Sequence, residues 1–244
     1  MAVALKALQG SLFQPLPRSE EQGLKEWVYA SLRHALMCGQ IAPGLPLTIR
    51  GLAEALEVSP MPVREALYRL TCEGAVEVKD NRRVIVPEMT AGKLSALFQM
   101  RIVLETHAAC SALPFVGEAE LAELRRLDGV LDELVEAGDI EHITQANQQF
   151  HRYLYQLPPS QVVMPMIESV WLQLGPFVRV VLSQLERFYQ VDRHQEALTA
   201  LSIGDQHALR EAIEADIRDG MASVAAVERV EDYFRDATIE REKA

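Results

Sequence analysis

Four polar side chains in the C-terminal half of the chain are candidates for holding a divalent metal ion. Asn147 and His151 are four residues apart, so a helix would place both on one face. His194 begins a later segment of helical period, and Asp216 lies within the last one. Imidazole nitrogens with carboxylate and amide oxygens suit divalent metals, and a helical bundle can bring such ligands together. The alternative is a polar pocket without a metal, because spacing of this kind also arises by chance.

Arg101, in the segment MRIVLETHAA, is a candidate for binding an acidic ligand in the same region. The forked guanidinium group matches the two oxygens of a carboxylate, which predicts a small organic acid as the bound molecule. Glu105 follows one helical turn later, so the alternative is a salt bridge within the helix.

A second group of side chains, near the N-terminus, is suited to reading DNA. These side chains belong to three neighbouring elements. They are an arginine on one predicted helix, several residues on the exposed face of the next helix, and two arginines at a predicted turn. Arginine can contact guanine or phosphate, and a serine at a helix start suits a phosphate oxygen. The alternative is a set of merely solvated side chains. The group comprises Arg50, Ser59, Met61, Arg64, Tyr68, Arg82 and Arg83.

The elements that would position this group form a predicted winged helix-turn-helix over residues 19–89. Ser19 and Gln22 have the spacing of a capping box that opens a first helix. Thr48 is suited to cap a short second helix, and Ser59 to cap a third. Gly74 ends the third helix, and the apolar period then changes from about four residues to two. The valines around the polar tip Asp80–Arg83 predict a β-hairpin wing.

From residue 90 to about residue 240 the apolar period stays helical, which predicts an all-α bundle of about six helices. The first 18 residues hold two prolines and no sustained period, so we expect a flexible arm. The fold class is therefore mainly α, with one small hairpin. The expected helix breaks are Pro114–Gly117, Gly138, Pro158–Pro159, Gly175–Pro176 and Gly204.

Charge divides the 244-residue chain in the same place. The net charge is −11, yet residues 1–90 carry ten basic and ten acidic residues, and all of the excess lies beyond them. A neutral front portion and an acidic back portion indicate two units with different partners. No apolar run approaches the roughly 18–20 residues that cross a bilayer. Three scattered cysteines indicate no disulfide framework, so we expect a cytoplasmic protein without a membrane segment.

Residues 47–86 resemble the DNA-binding domain of the GntR superfamily of bacterial transcription regulators, most closely in VSPMPVREALYRLTCEG. The resemblance implies that Arg50, Ser59 and Arg64 contact DNA. Pro60 stands where relatives often carry arginine, and the wing tip lacks the usual glycine. The operator sequence therefore cannot be transferred from relatives.

Residues 95–235 resemble the helical effector domain of the FadR-like branch, the FCD domain, in RIVLE, NQQFH, HQEAL and GDQHALREAIEADI. That domain commonly holds a metal through Asp or Asn followed by three histidines. By this resemblance Asn147, His151 and His194 occupy the first three ligand positions, and Asp216 stands where the third histidine is usual. The set of four ligands still contains one carboxylate. With two oxygen and two nitrogen ligands, the site is richer in oxygen, and in this sense harder, than one with three histidines. This shifts preference towards Mn²⁺, Mg²⁺ or Ca²⁺ and leaves Zn²⁺ and Ni²⁺ as candidates.

Together these observations predict a homodimeric transcription regulator that is not an enzyme. We expect a repressor relieved by ligand, and the alternative is an activator. Its expected partners are double-stranded DNA with an inverted-repeat operator and a small carboxylate effector, with a divalent ion such as Zn²⁺, Ni²⁺ or Mn²⁺ as cofactor. One alternative is a metal-dependent hydrolase or oxygenase built on the bundle, although no paired general acid and base is evident. Another is a DNA-binding dimer whose bundle binds no effector.

Overall fold

A computed structural model describes residues 15–41, 47–79, 83–87, 89–182 and 193–225. Within these ranges the chain is mainly helical, with one two-stranded antiparallel sheet. This is the predicted fold class. Arg82 and residues 1–14 of the expected arm lie outside the described residues.

The N-terminal part contains three helices: α1 (Leu24–Met37), α2 (Ile49–Ala55) and α3 (Pro60–Cys72). Thr48 caps α2 as expected, because its hydroxyl accepts a hydrogen bond from the Gly51 amide at 3.0 Å. Each helix buries an apolar stripe against the others, and Val28, Leu52 and Leu70 are fully buried there. This packing fixes the angle between α2 and α3.

A tight turn and a small hairpin complete this part. Glu57, between α2 and α3, has a φ of 55°, the left-handed conformation that reverses the chain after a helix. Strand β1 (Glu77–Val78) pairs with β2 (Val84–Ile85), and Val84 also bridges to Leu47. Helices α2 and α3 with this wing form the predicted winged helix-turn-helix.

The predicted capping box at Ser19 is wrong. Helix α1 begins at Leu24 with Gly23 at its N-cap, and Ser19 instead accepts the Gln22 amide through its carbonyl in a preceding turn. Residues 15–18 are held against α1, because the Trp27 indole donates to the Leu16 carbonyl at 2.7 Å. The chain therefore packs on α1 before the helix starts.

The C-terminal part consists of six helices among the described residues. They are α4 (Ala91–Ala112), α5 (Glu118–Glu136), α6 (Ile140–Tyr155), α7 (Met164–Leu182), α8 (Arg193–Ile203) and α9 (Gln206–Ala225). The expected breaks at residues 114–117, 138, 158–159 and 204 separate these helices. Gly138 and Gly204 have φ values of 67° and 71°, so a residue with a side chain would be strained at either helix end.

The expected break at Gly175–Pro176 is wrong, because α7 continues through both residues to Leu182. Proline cannot donate to the carbonyl four residues earlier, which disfavours a helix interior. The neighbouring Leu172, Leu174 and Phe177 are all buried, and burial of these apolar side chains keeps the segment helical.

The chain divides into two compact units. The first contains the described residues up to Thr90 together with Trp171–Arg179 of α7, and the second contains Ala91–Val170 and the described residues from Val180 onward. Among the described residues, we find no helix long and apolar enough to span a membrane.

Candidate nucleic-acid interface and candidate metal centre

Helix α3 presents Met61, Arg64 and Tyr68 on one exposed face. Met61 is 65% exposed and Tyr68 is 71% exposed, whereas Val63 and Leu70 on the opposite face are fully buried. Helix α3 is the second helix of the helix-turn-helix, and its start is the part that enters a major groove. Exposed large side chains beside an arginine at this place suit contacts with base edges and phosphates.

The remaining residues of the expected DNA-reading group flank this face. Ser59 is the N-cap of α3, but its exposed hydroxyl makes no capping hydrogen bond, so the expected cap is not formed. Arg50 on α2 is 71% exposed and pairs with Glu54 at 3.2 Å. Arg83 is exposed beside β2, while Arg82 lies outside the described residues. The described members of the group thus lie on exposed positions of α2, α3 and the wing.

Three of the four predicted metal ligands come together in the second unit. The nearest ligand atoms of His151 on α6, His194 on α8 and Asp216 on α9 all lie within 4.8 Å of one another. Both histidines are buried, and the Asp216 side chain is 24% exposed. Asn147 is half-buried on α6, one turn before His151 and on the same side of the helix.

A buried carboxylate fixes the ring of His194. The Nδ1–H of His194 donates to Oδ1 of Asp128 on α5 at 2.8 Å, and Nε2 of Gln195 donates to the other Asp128 oxygen at 2.7 Å. An ionised carboxylate can only accept hydrogen bonds, so the proton of the His194 ring resides on Nδ1. Its Nε2 lone pair therefore points towards His151 and Asp216.

A second chain of hydrogen bonds fixes the ring of His151. The Tyr155 hydroxyl lies 3.2 Å from Oε2 of Glu105 and 3.1 Å from Nδ1 of His151. Because the Glu105 carboxylate accepts the hydroxyl proton, the hydroxyl oxygen accepts from the Nδ1–H of His151. Arg101 in turn donates to Glu105 at 2.6 Å, which is the salt bridge expected as the alternative role of Arg101.

The two Nε2 atoms and Asp216 thus form a cluster of electron-pair donors. Nε2 of His151 is 3.3 Å from Nε2 of His194 and 3.3 Å from Oδ2 of Asp216. Only one proton can lie between the two nitrogens, because two N–H groups would point at each other. The negative charges of Asp128, which is buried, and of Asp216, which is 24% exposed, together exceed the single positive charge that one such proton supplies, and buried charges need pairing. These residues fit a divalent cation, which would bind His151, His194, Asp216 and the Asn147 carbonyl oxygen.

Electrostatics at the centre favour an ionised Asp216. Burial alone would raise the pKa of this carboxyl, but the hydrogen bond from His151 and the nearby positive charge of the protonated histidine pair and of Arg101 lower the pKa to about 2. Burial raises the pKa of Tyr155 well above its ordinary value, with the neighbouring Glu105 carboxylate acting in the same direction. Asp216 is therefore an anionic candidate ligand, and Tyr155 is a neutral hydrogen-bonding group.

Comparison with known proteins decides the family. Residues 24–86 match the family described as bacterial regulatory proteins, gntR family, and residues 96–219 match the FCD domain. The chain belongs to the GntR family of regulators. Over 194 residues it is 30% identical to the HTH-type transcriptional regulator McbR of Escherichia coli K12, covering 78% of this chain and 88% of McbR.

The other comparisons agree with this assignment. The solved structure of E. coli McbR (YncC) superposes with a TM-score of 0.78 at 28% identity, covering 84% of this chain and 98% of that one. A GntR regulator from Rhodococcus sp. RHA1 gives a TM-score of 0.70 at 27% identity, covering 84% and 99%. The HTH-type transcriptional repressor RspR of E. coli K12 is 24% identical, covering 61% of this chain and 65% of RspR. The chain is thus a DNA-binding transcription regulator and not an enzyme.

Sequence reasoning missed the outer residues of the centre in this GntR-family regulator. Asp128 lies between the buried Leu124 and Leu131 on one stripe of α5, so a carboxylate within an apolar stripe was the available signal. Phe150 directly precedes His151 and stacks on the His194 ring at 4.0 Å between centroids. No pattern in the sequence links Phe150 to a residue 44 positions away, because that contact depends on how α6 and α8 pack.

Proposed function

We propose that this GntR-family regulator is a homodimeric repressor whose FCD domain binds a divalent metal and a small carboxylate effector. The DNA-reading unit comprises residues 19–89 and the effector unit residues 90–240. The ion is Zn²⁺, Ni²⁺ or Mn²⁺, held by Asn147, His151, His194 and Asp216. Effector binding releases an inverted-repeat operator.

The observation that carries this proposal is that ligand atoms of His151, His194 and Asp216 all lie within 4.8 Å of one another. Hydrogen bonds engage Nδ1 of both rings, so each ring is oriented before any ion binds. Orientation of histidine ligands by carboxylate and hydroxyl partners is typical of metal centres. When bound, the metal supplies a Lewis-acidic position at which a carboxylate oxygen can bind.

Arg101 supports an acidic effector. Its Nε and one terminal nitrogen face Glu105, at 2.6 and 3.5 Å, and its charge helps to lower the pKa of Asp216, so the guanidinium lies close to the centre. A guanidinium has five N–H donors, more than one carboxylate uses. Arg101 can therefore keep its bond to Glu105 and also bind an effector carboxylate.

The DNA-reading side supports a two-fold arrangement. A single α3 helix presents only a few base contacts, and helix-turn-helix regulators gain affinity by placing two such helices in successive major grooves. The proposed homodimer would bind an inverted repeat by this means, with Arg50, Ser59, Met61, Arg64 and Tyr68 as contacts and Arg82 and Arg83 at the wing. The relative RspR is named a repressor, which supports that direction of control.

The test begins with metal analysis of untagged protein purified without chelator. A thermal-shift screen of small carboxylates, with and without Zn²⁺, Ni²⁺ or Mn²⁺, then identifies effectors, and a DNA-release assay follows on each compound found. We expect bound metal in the parent protein, metal-dependent stabilisation by a carboxylate, and release of DNA by the same compound.

Two histidine variants of α6 sharpen this test. His151→Ala should lose the metal and the effector response, whereas His142→Ala, which removes a half-exposed histidine of the same helix, should keep both. If the parent protein holds no metal and no carboxylate stabilises it, the bundle serves only dimerisation. If a carboxylate binds equally well to the His151→Ala protein, the effector pocket is independent of the metal.

A further inference from the structure

Among the described residues, buried Asp128 accepts hydrogen bonds only from His194 and Gln195. Its side chain is 2% exposed, and its two oxygens accept from His194 Nδ1 and Gln195 Nε2. Within the described part of the chain, no lysine or arginine lies within ion-pair distance of it. A buried carboxylate without a formal cation is costly unless positive charge develops on its partner.

Among the described residues, the only partner on which such charge can develop is His194. A divalent metal held by Nε2 of His194 would withdraw electron density from the ring and would strengthen the bond that the Nδ1–H donates to Asp128. The Asp128 carboxylate would in this way balance part of the positive charge of the metal without being one of its ligands.

The charges of the centre support this role. Glu105 is paired with Arg101, whereas Asp216 and Asp128 are the two carboxylates around the cluster whose ion-pair partners among the described residues are histidines. Their two negative charges together would balance the charge of a divalent cation. Asn147 contributes an amide where the FCD resemblance allows a carboxylate, so the inner ligands alone carry a single negative charge.

We propose that Asp128 is a positioning residue of the metal centre that fixes the tautomer of His194 and supplies the second negative charge of the site. This inference rests on the proposed metal binding. It assigns to α5 a part in a centre whose ligands come from α6, α8 and α9. It also explains why a carboxylate lies between Leu124 and Leu131 on an otherwise apolar stripe.

The test uses Co²⁺ as the probe, because its visible absorption reports the number and geometry of its ligands. Chelator-treated full-length parent and Asp128→Asn proteins are titrated with Co²⁺. Asparagine has nearly the same shape, and its oxygen can still accept from Nδ1. Its NH2 group replaces the oxygen that accepts from Gln195, and a flipped Gln195 amide can present its own oxygen to that group, so this change removes mainly the charge. We expect Co²⁺ affinity to fall about 10–100-fold and the absorption spectrum to change, with the melting temperature of the metal-free protein nearly unchanged.

Two further variants separate charge from packing. Glu133→Gln removes one negative charge from an exposed position of the same helix and should leave Co²⁺ binding unchanged. Asp128→Leu fills the position with an apolar side chain that suits its leucine neighbours, so it should fold and bind Co²⁺ at least as weakly as Asp128→Asn.

The outcomes distinguish this inference from the proposal beneath it. If the parent protein binds no Co²⁺, the metal centre itself is refuted, and the role of Asp128 with it. If the parent binds Co²⁺ and Asp128→Asn binds within about threefold with the same spectrum, Asp128 only packs, and the metal centre stands without it. An equal loss of Co²⁺ affinity in Glu133→Gln would also contradict the proposal, because the effect would then not be specific to Asp128.

Discussion

Nε2 of His151 lies 3.3 Å from Nε2 of His194, while Nδ1 of each ring is engaged by a different outer residue. Two N–H groups cannot point at each other at this distance, so at most one of the two Nε2 atoms carries a proton. Asp216 lies within the same cluster and is ionised, because its pKa is about 2.

We expect a divalent metal to displace that proton. Binding of Zn²⁺ near pH 7 should release about one proton, because histidine must lose its proton to bind a metal. Calorimetric titrations in two buffers with different ionisation enthalpies measure the number released. The His142→Ala protein should give the same value, and a release of zero would mean that the cluster holds no exchangeable proton.

The low pKa of Asp216 predicts a stability difference that depends on pH. The folded pKa of about 2 lies below the ordinary 3.8, so the ionised form stabilises the fold above about pH 4, and this contribution disappears as pH falls through 2. In chelator-treated protein, Asp216→Asn should cost about 2 kcal/mol at pH 6 and almost nothing near pH 2. Urea unfolding at several pH values measures the difference.

Asp219→Asn is the control for that experiment. Asp219 is on the same helix and 48% exposed, where solvent weakens its pair with Arg193, so its removal should cost much less at pH 6. An Asp216→Asn cost that stayed constant from pH 6 to pH 2 would show that the loss comes from packing and not from ionisation.

Arg64 is expected to dominate DNA binding by α3. Arg64→Ala should weaken binding to duplexes selected in vitro by the parent protein by about 1–3 kcal/mol, because a forked arginine contact to a base or phosphate is lost. Fluorescence anisotropy at two salt concentrations measures the affinity. Arg126→Ala, which removes an exposed arginine of α5, should bind as the parent does. Equal binding by Arg64→Ala would place the reading surface elsewhere.

Much of the reading unit could be predicted because its signals are local. Thr48 and Gly74 mark helix ends through hydrogen bonds and backbone angles that depend on neighbours in sequence. The capping box predicted at Ser19 was wrong because a Ser-x-x-Gln pattern is too short to fix a helix start. Leu16 and Trp27 instead contact each other, and the helix begins at Leu24.

The centre could be predicted only in part. Asn147 and His151 have helical spacing. The assignment of His194 and Asp216 as ligands depended mainly on the FCD resemblance, since no local pattern shows that three helices come together. The contact between Asp128 and His194 joins residues 66 positions apart and depends on packing alone. Helix continuity through Pro176 likewise depends on its buried neighbours, which a single sequence does not reveal.

Gly175 is required by a close approach within the first unit. A Cβ at this position would lie 2.4 Å from the carbonyl oxygens of Leu36 and Met37, and these backbone atoms cannot rotate away. Gly175→Ala should therefore destabilise the protein by about 1–3 kcal/mol, despite the better helix propensity of alanine. Thermal unfolding measures the change.

Gly129→Ala is the matched control, because Gly129 lies inside α5 and its Cβ would meet no atom within 4 Å. It should stabilise the protein by about 0.5–1 kcal/mol through helix propensity alone. If both variants gained stability, α7 would not approach α1 as closely as described.

Thr144 carries a buried hydroxyl with no hydrogen-bond partner among the described residues. It lies on α6 two turns before His151 and on the same side of the helix. An unsatisfied buried hydroxyl costs about 1–3 kcal/mol, whereas valine has nearly the same shape and no polar atom. Thr144→Val should therefore raise the free energy of unfolding by about 1 kcal/mol in urea titrations.

Thr106→Val provides the opposite case, because the Thr106 hydroxyl is equally buried but donates to the Ile102 carbonyl and accepts from Arg210. Its removal leaves the Arg210 donor without that acceptor, so this variant should lose stability while Thr144→Val gains it. A loss of stability in both would mean that the Thr144 hydroxyl is hydrogen-bonded in solution, and a buried water on α6 beside the proposed metal centre would be the simplest partner.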